Sequence, residues 1–155
     1  MSLKEIKTED VTYYELNNQI NIPVNGQIPL QKDQEALDAF LEQNVQPNMV
    51  TFKSLQDRLD YLVAENYYEA DFLKAYSLSF MEELNQYLKD QDFHFKSFMA
   101  AYKFYAQYAL KTNDNGFYLE DFKDRVFVNA LYFADGDQTL ALQLADDMIH
   151  QRYQP

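Results

Sequence analysis

Asp146, Asp147 and His150 fall within one helical turn of the sequence DDMIH, an arrangement of two carboxylates and an imidazole that could hold a metal ion. The i,i+3 pair Asp147/His150 has the spacing of the carboxylate–histidine element of di-metal helical bundles. Such bundles need that element twice, with two further carboxylates. The only other histidine, His94, has no acidic residue three positions before it. A solvated helix end is therefore the better reading, and no metal is expected. Nucleophilic catalysis has less support, because the chain has no cysteine and no Gly-x-Ser-x-Gly elbow. Its three glycines, at positions 26, 116 and 136, cannot form a phosphate-cradling loop. Tyr102, Phe104, Tyr105 and Tyr108 could stack a base or a sugar ring. At helical spacing they read first as core.

The elements that would position these side chains are mostly helices. Few Gly and Pro, with abundant Leu, Glu, Gln, Lys and Ala, favour helix throughout. From Phe98 to Leu110 only Lys103 and Gln107 interrupt an apolar run, with Ser97 as a natural N-cap and Asn113 to Gly116 as a stop. A helix apolar almost all round belongs in the middle of a core, with Phe104 or Tyr105 deeply buried. Similar stripes predict helices over about 32–44, 51–65, 69–76, 79–89 and 118–134, the last with Phe122, Val126, Phe127, Ala130, Leu131 and Phe133 inward. Ser79 to Glu82 reads as a capping box, and Asp137 as the cap of a final helix whose inner face is Leu140, Ala141, Leu144, Met148 and Ile149. Residues 1–10 read as a flexible tail. Asn25-Gly26 between two short apolar runs predicts a weak β-hairpin within 11–30, limited by Pro23 and Pro29. The fold class is thus mainly α, a helical domain with a small N-terminal β-hairpin.

At 155 residues the chain is long enough for a real core. Its net charge of −12 argues against binding nucleic acid through phosphates. The 13-residue apolar run is too short for a membrane span, and residues 1–10 lack a signal-peptide core. A cytoplasmic protein is expected.

The strings FKSFMAAYKFYAQYALKTND, LEDFKDRVFVNALYFADGD and MIHQRYQP closely resemble the N-terminal region of the class Ib ribonucleotide reductase large (alpha) subunit. YYELNNQINIPVNGQIPLQKDQEAL and KSLQDRLDYLVAENYYEADFL resemble the same family's opening segment, in the same order. The resemblance runs over residues 11–155. It implies a fragment of a ribonucleoside-diphosphate reductase, whose cysteine-bearing α/β barrel follows in the family, so no family catalytic residue maps here. It implies a shortened ATP-cone-like segment at 11–50 and a helical domain at 51–155. Its implied partners are the barrel, a metal-radical beta subunit and a redoxin. The longer family members bind ATP or dATP on a full cone. Here the cone's basic motif is replaced by Val11 to Tyr14, leaving Tyr13, Phe52 and Lys53 as the nucleotide-contacting candidates. A cut at the barrel junction would leave an apolar patch near Met148, Ile149 and Tyr153 and promote weak homo-association. The competing reading is a free-standing helical interaction or regulatory module.

Overall fold

The computed structural model describes residues 30–114 and 116–151. Seven α-helices are present among them: α1 Leu30–Phe40, α2 Leu55–Ala64, α3 Ala70–Lys74, α4 Leu78–Lys89, α5 Phe98–Lys103, α6 Phe122–Ala134 and α7 Gln138–Ile149. The fold is mainly helical, as the sequence predicts. The flexible tail, the Asn25-Gly26 hairpin, Tyr13 and Tyr153 lie outside the described residues. The chain forms two compact units. One draws on the spans Met1–Val50 and His94–Leu119, the other on Thr51–Phe93 and Glu120–Pro155.

In the first unit, α1 turns Ala36, Leu37 and Phe40 inward and runs on as a π-helical turn, Leu41–Val45, that buries Asn44 and Val45. Phe40 meets Phe98 of α5 edge to face, with ring centroids 5.7 Å apart. Ser97 caps α5 as expected, its Oγ accepting from the Ala100 N–H at 3.1 Å. The predicted single helix to Leu110 is not what forms. The α-helix ends at Lys103, Phe104–Tyr108 make a π-helical turn, and Ala109 leaves in an extended conformation. Phe104 and Tyr105 are both buried, while Tyr108 is exposed. Tyr118 is not helical either. Its N–H donates to Asn48 O (2.8 Å) and its carbonyl accepts from Val50 N–H (2.9 Å), so short extended pairings precede the next helix.

In the second unit, Ser54 caps α2 and Ser77 caps α4, each hydroxyl accepting an N–H three residues on. The expected box at Ser79 is displaced: Ser79 lies within α4, whose buried face is Phe80, Met81, Leu84 and Leu88. Helix α6 begins at Phe122, where Asp121 and Asp124 form a reciprocal capping box. It turns Val126, Phe127, Ala130, Leu131 and Ala134 inward, but Phe133 is exposed, contrary to expectation. Asp135 and Gly136 both take positive φ to join α6 to α7. The Gly136 N–H donates to Tyr76 Oη (2.8 Å), which donates to Leu131 O (2.7 Å), so one phenol closes the end of α6. Asp137 caps α7 as predicted. Its most buried stripe is Ala141, Ala145 and Ile149, so the expected inner face is rotated: Leu140 is partly exposed and Leu144 half-buried. Of the patch expected near Met148, Ile149 and Tyr153, Ile149 is buried and Met148 half-buried, and Tyr153 lies outside the described residues.

Candidate functional site

The acidic pair near the end of α7 is engaged in structural bonding. The Tyr87 phenol of α4 donates to the Asp146 carboxylate, and His150 Nδ1 lies 3.2 Å from Asp146 Oδ1 and 2.8 Å from Asp146 O. No group of three or more His, Cys, Asp or Glu side chains suited to a metal ion occurs among the described residues. The aromatic set is core: Tyr102 and Tyr105 pack on Phe40, and Phe104 and Tyr105 on Phe95. Only Tyr108 stands apart, in solvent.

Phe52 stacks at a tilt on Tyr61 with centroids 5.4 Å apart, and Lys53 is exposed. Both precede the N-terminus of α2, where Ser54 Oγ already takes the Asp57 N–H and Asp57 adds negative charge in the first turn. That end offers a triphosphate little beyond Lys53.

The polar constellation that periodicity did not reveal is buried in the second unit. Glu120 has no exposed surface, and Arg58 of α2 is 8% exposed. The Tyr68 phenol donates to Glu120 Oε2 and accepts from Arg58 Nη2 at 3.1 Å. Arg125 Nε faces Glu120 Oε1 at 3.4 Å, and Arg58 Nη2 lies 3.9 Å from Asp124 Oδ2. Arg58 Nη1 has no hydrogen-bond partner among the described residues. Burial works against the Arg58 charge, but the facing Tyr68, Asp124 and Glu120 outweigh it and hold the guanidinium above its ordinary pKa. Burial, reinforced by Glu120 and opposed by Arg58, pushes the Tyr68 phenol far above its usual range. Tyr68 therefore remains a neutral donor. The cluster ties α2, the turn before α3 and the start of α6 together. Its members bond and pair with one another, so the cluster acts as a clasp, with Tyr68 and Arg125 bordering an open groove.

One signal for it was available. Arg58 sits three residues after Leu55 and four before Leu62, on the inner stripe of α2.

Beside the clasp, burial and then the neighbouring Asp124 push the Asp121 carboxyl from its usual 3.8 up to about 6. A folded-state pKa above the unfolded one means that the native state holds the proton more tightly. This contribution is fully present below the unfolded pKa of 3.8 and is lost as pH rises through about 6. Asp121→Asn keeps a cap acceptor and removes the titration. Its stability relative to wild type is expected to improve by about 2 kcal/mol between pH 4.5 and 7.5. Urea unfolding of both proteins at the two pH values measures this, and a constant difference would contradict it.

The chain belongs to the ribonucleotide reductase family: residues 13–93 match the model of the ribonucleotide reductase N-terminal domain, and residues 94–155 match that of its all-alpha domain. The boundary between the two falls where the chain passes from one compact unit to the other, at Phe93/His94. Among individual relatives, the chain is 42% identical over 143 residues to the ribonucleoside-diphosphate reductase subunit alpha of Bacillus subtilis (strain 168), covering 92% of this chain and 20% of that protein. It is 41% identical to the NrdEB subunit alpha of the same organism, over 92% of this chain and 13% of that protein. It is also 35% identical over 157 residues to the subunit alpha of Mycoplasma pneumoniae, covering 100% of this chain and 22% of the relative. The chain thus matches the N-terminal region of such subunits and spans about a fifth of the length of the first and third.

Proposed function

We propose that this chain is the N-terminal helical part of a class Ib ribonucleoside-diphosphate reductase alpha subunit, a cytoplasmic enzyme that makes deoxyribonucleotides for DNA synthesis. The observation that carries the reading is identity of 35–42% over 92–100% of the chain, running through both family models in order. Radical reduction of a ribose needs a thiyl radical and a dithiol, and this chain has no cysteine. That chemistry therefore belongs to a barrel supplied by the rest of the subunit. A metal-radical beta subunit would start it and a redoxin would re-reduce it. The role of the helical part is to support and flank that barrel. Within this reading, residues 11–50 are the shortened ATP-cone-like segment and 51–155 the helical domain. Tyr13, Phe52 and Lys53 are the candidate contacts for an ATP- or dATP-type effector.

Reading the gene beyond codon 155 tests the proposal. It should continue into an Ala-Thr-Pro segment and then cysteine codons. A stop codon at that point would overturn the proposal and favour a free-standing interaction module.

A further inference from the structure

Helix α2 carries no base on its exposed side. Among residues 51–65 the only bases are Lys53, ahead of the helix, and Arg58, buried in the clasp. Asp57, Asp60 and Glu65 are all exposed. The last turn of α2, where a cation would oppose the helix dipole, holds none. The Gln56 amide donates to Asp60 Oδ1 at 2.6 Å, whereas neither Asp57 nor Glu65 forms an ion pair among the described residues. Tyr61 stands one helical turn from each of these two and is 38% exposed. Its ring joins two others, Phe52 at 5.4 Å and Tyr67, tilted by only 25°, at 6.5 Å. An aromatic face carries negative potential, so the three rings and the carboxylates beside them attract the same kind of group, a cation.

We propose that the Tyr61 face of α2 docks an extended, arginine-bearing segment of a basic protein partner. A guanidinium stacks on an aromatic ring and pairs with a carboxylate at the same time, whereas an ammonium lacks the planar fork that does both. A metal ion does not fit, because Asp57 and Glu65 are eight residues apart, about 12 Å along the helix, too far to share one ion. The same separation suits an extended peptide, whose residues i and i+4 lie on one face about 13 Å apart. Basic residues at i, i+2 and i+4 then meet Asp57, the Tyr61 ring and Glu65 in turn. Nucleic acid phosphates and a second copy at −12 are both repelled by this face. Phe52 and Lys53 are also the candidate contacts for a nucleotide effector. The two readings call for ligands of opposite charge, so one experiment separates them.

Fluorescence anisotropy of a labelled Arg-Ala-Arg-Ala-Arg peptide tests this on the 155-residue chain and on the full-length alpha subunit. Saturable binding to both is expected. Tyr61→Leu, which keeps apolar bulk and loses the ring, should weaken it about tenfold, while Tyr61→Phe should match wild type. Asp57→Asn and Glu65→Gln should each weaken it several-fold. Asp71→Asn removes an exposed charge from α3 instead and should change it less than twofold. The lysine counterpart of the peptide should bind several-fold more weakly. No saturable binding overturns the proposal. So do equal affinities for wild type and Tyr61→Leu, or equal losses at Asp57 and Asp71, which would mean general attraction to an acidic chain. Binding to the 155-residue chain alone also overturns it, because the face is then covered in the whole subunit. Competition by ATP that Tyr61→Leu abolishes assigns the rings to an effector, which supports the nucleotide contacts and overturns this docking surface. Should Tyr61→Leu fail to fold, the comparison of Asp57→Asn with Asp71→Asn decides the matter by itself.

Discussion

Replacing Glu120 with alanine is expected to destabilise the protein by about 3–5 kcal/mol, the usual cost of removing one partner from a buried ionic group. The carboxylate is fully buried, accepts from the Tyr68 phenol and faces Arg125 Nε at 3.4 Å. Without it, Tyr68 loses its acceptor while still receiving the Arg58 N–H, and two guanidinium groups remain in a space that no longer balances them. Leaving such groups unpaired costs more than the pair itself is worth, because their water has already been removed. Glu120→Gln preserves the shape and one acceptor oxygen and is expected to cost less. A double-mutant cycle of Glu120→Ala with Arg125→Ala should be clearly non-additive, since the second deletion removes the charge stranded by the first. Urea unfolding with an unchanged denaturant slope measures all three. A loss below about 1 kcal/mol for Glu120→Ala would mean that water enters the cluster and that it is no clasp.

What the sequence made legible follows the range of the forces involved. Ser97 and Asp137 were readable as caps because a cap is a bond to a backbone N–H three residues away. The apolar pattern starts α6 at 118, four residues before its true start, because Tyr118 pairs with Asn48, seventy positions distant, and no local pattern records that pairing. The box at Ser79 gave way to Ser77 for a smaller reason: both serines precede the same apolar stripe, and periodicity leaves the boundary open by two residues. Phase was the other difficulty. In VFVNALYFA nearly every position is apolar, so the sequence shows that α6 is buried without showing on which side, and Phe133, which the pattern puts inward, is exposed. The clasp was hidden by sequence distance, since Tyr68 and Glu120 are 52 residues apart. Only Arg58's position on an inner stripe betrayed it. The family resemblance was legible for a different reason, because it rests on whole strings rather than on periodicity, and both family models match in the expected order.

Phe98→Ala should cost a similar 3–5 kcal/mol, through lost transfer free energy and the cavity left in the first unit. Phe98 has no exposed surface and is the first residue of α5, directly after its Ser97 cap. Its ring meets Phe40 edge to face at 5.7 Å and Tyr102 at 5.8 Å, so truncation removes two aromatic contacts as well as buried area. Its backbone N–H also lies 3.4 Å from both carboxylate oxygens of Asp33 in α1, and alanine leaves that bond in place. The loss therefore reports packing alone. It is a large share of the roughly 5–15 kcal/mol that a domain possesses, so Phe98→Leu, expected to cost less, serves where the alanine variant fails to fold. Tyr108→Ala, at the other end of the same apolar run but 58% exposed, should change stability by less than about 0.5 kcal/mol. Hydrogen exchange should localise the Phe98 effect to amides of α1 and α5. Equal costs at Phe98 and Tyr108 would mean that the run is one continuous buried helix after all, and that the π-helical turn at Phe104–Tyr108 does not carry its end out into water.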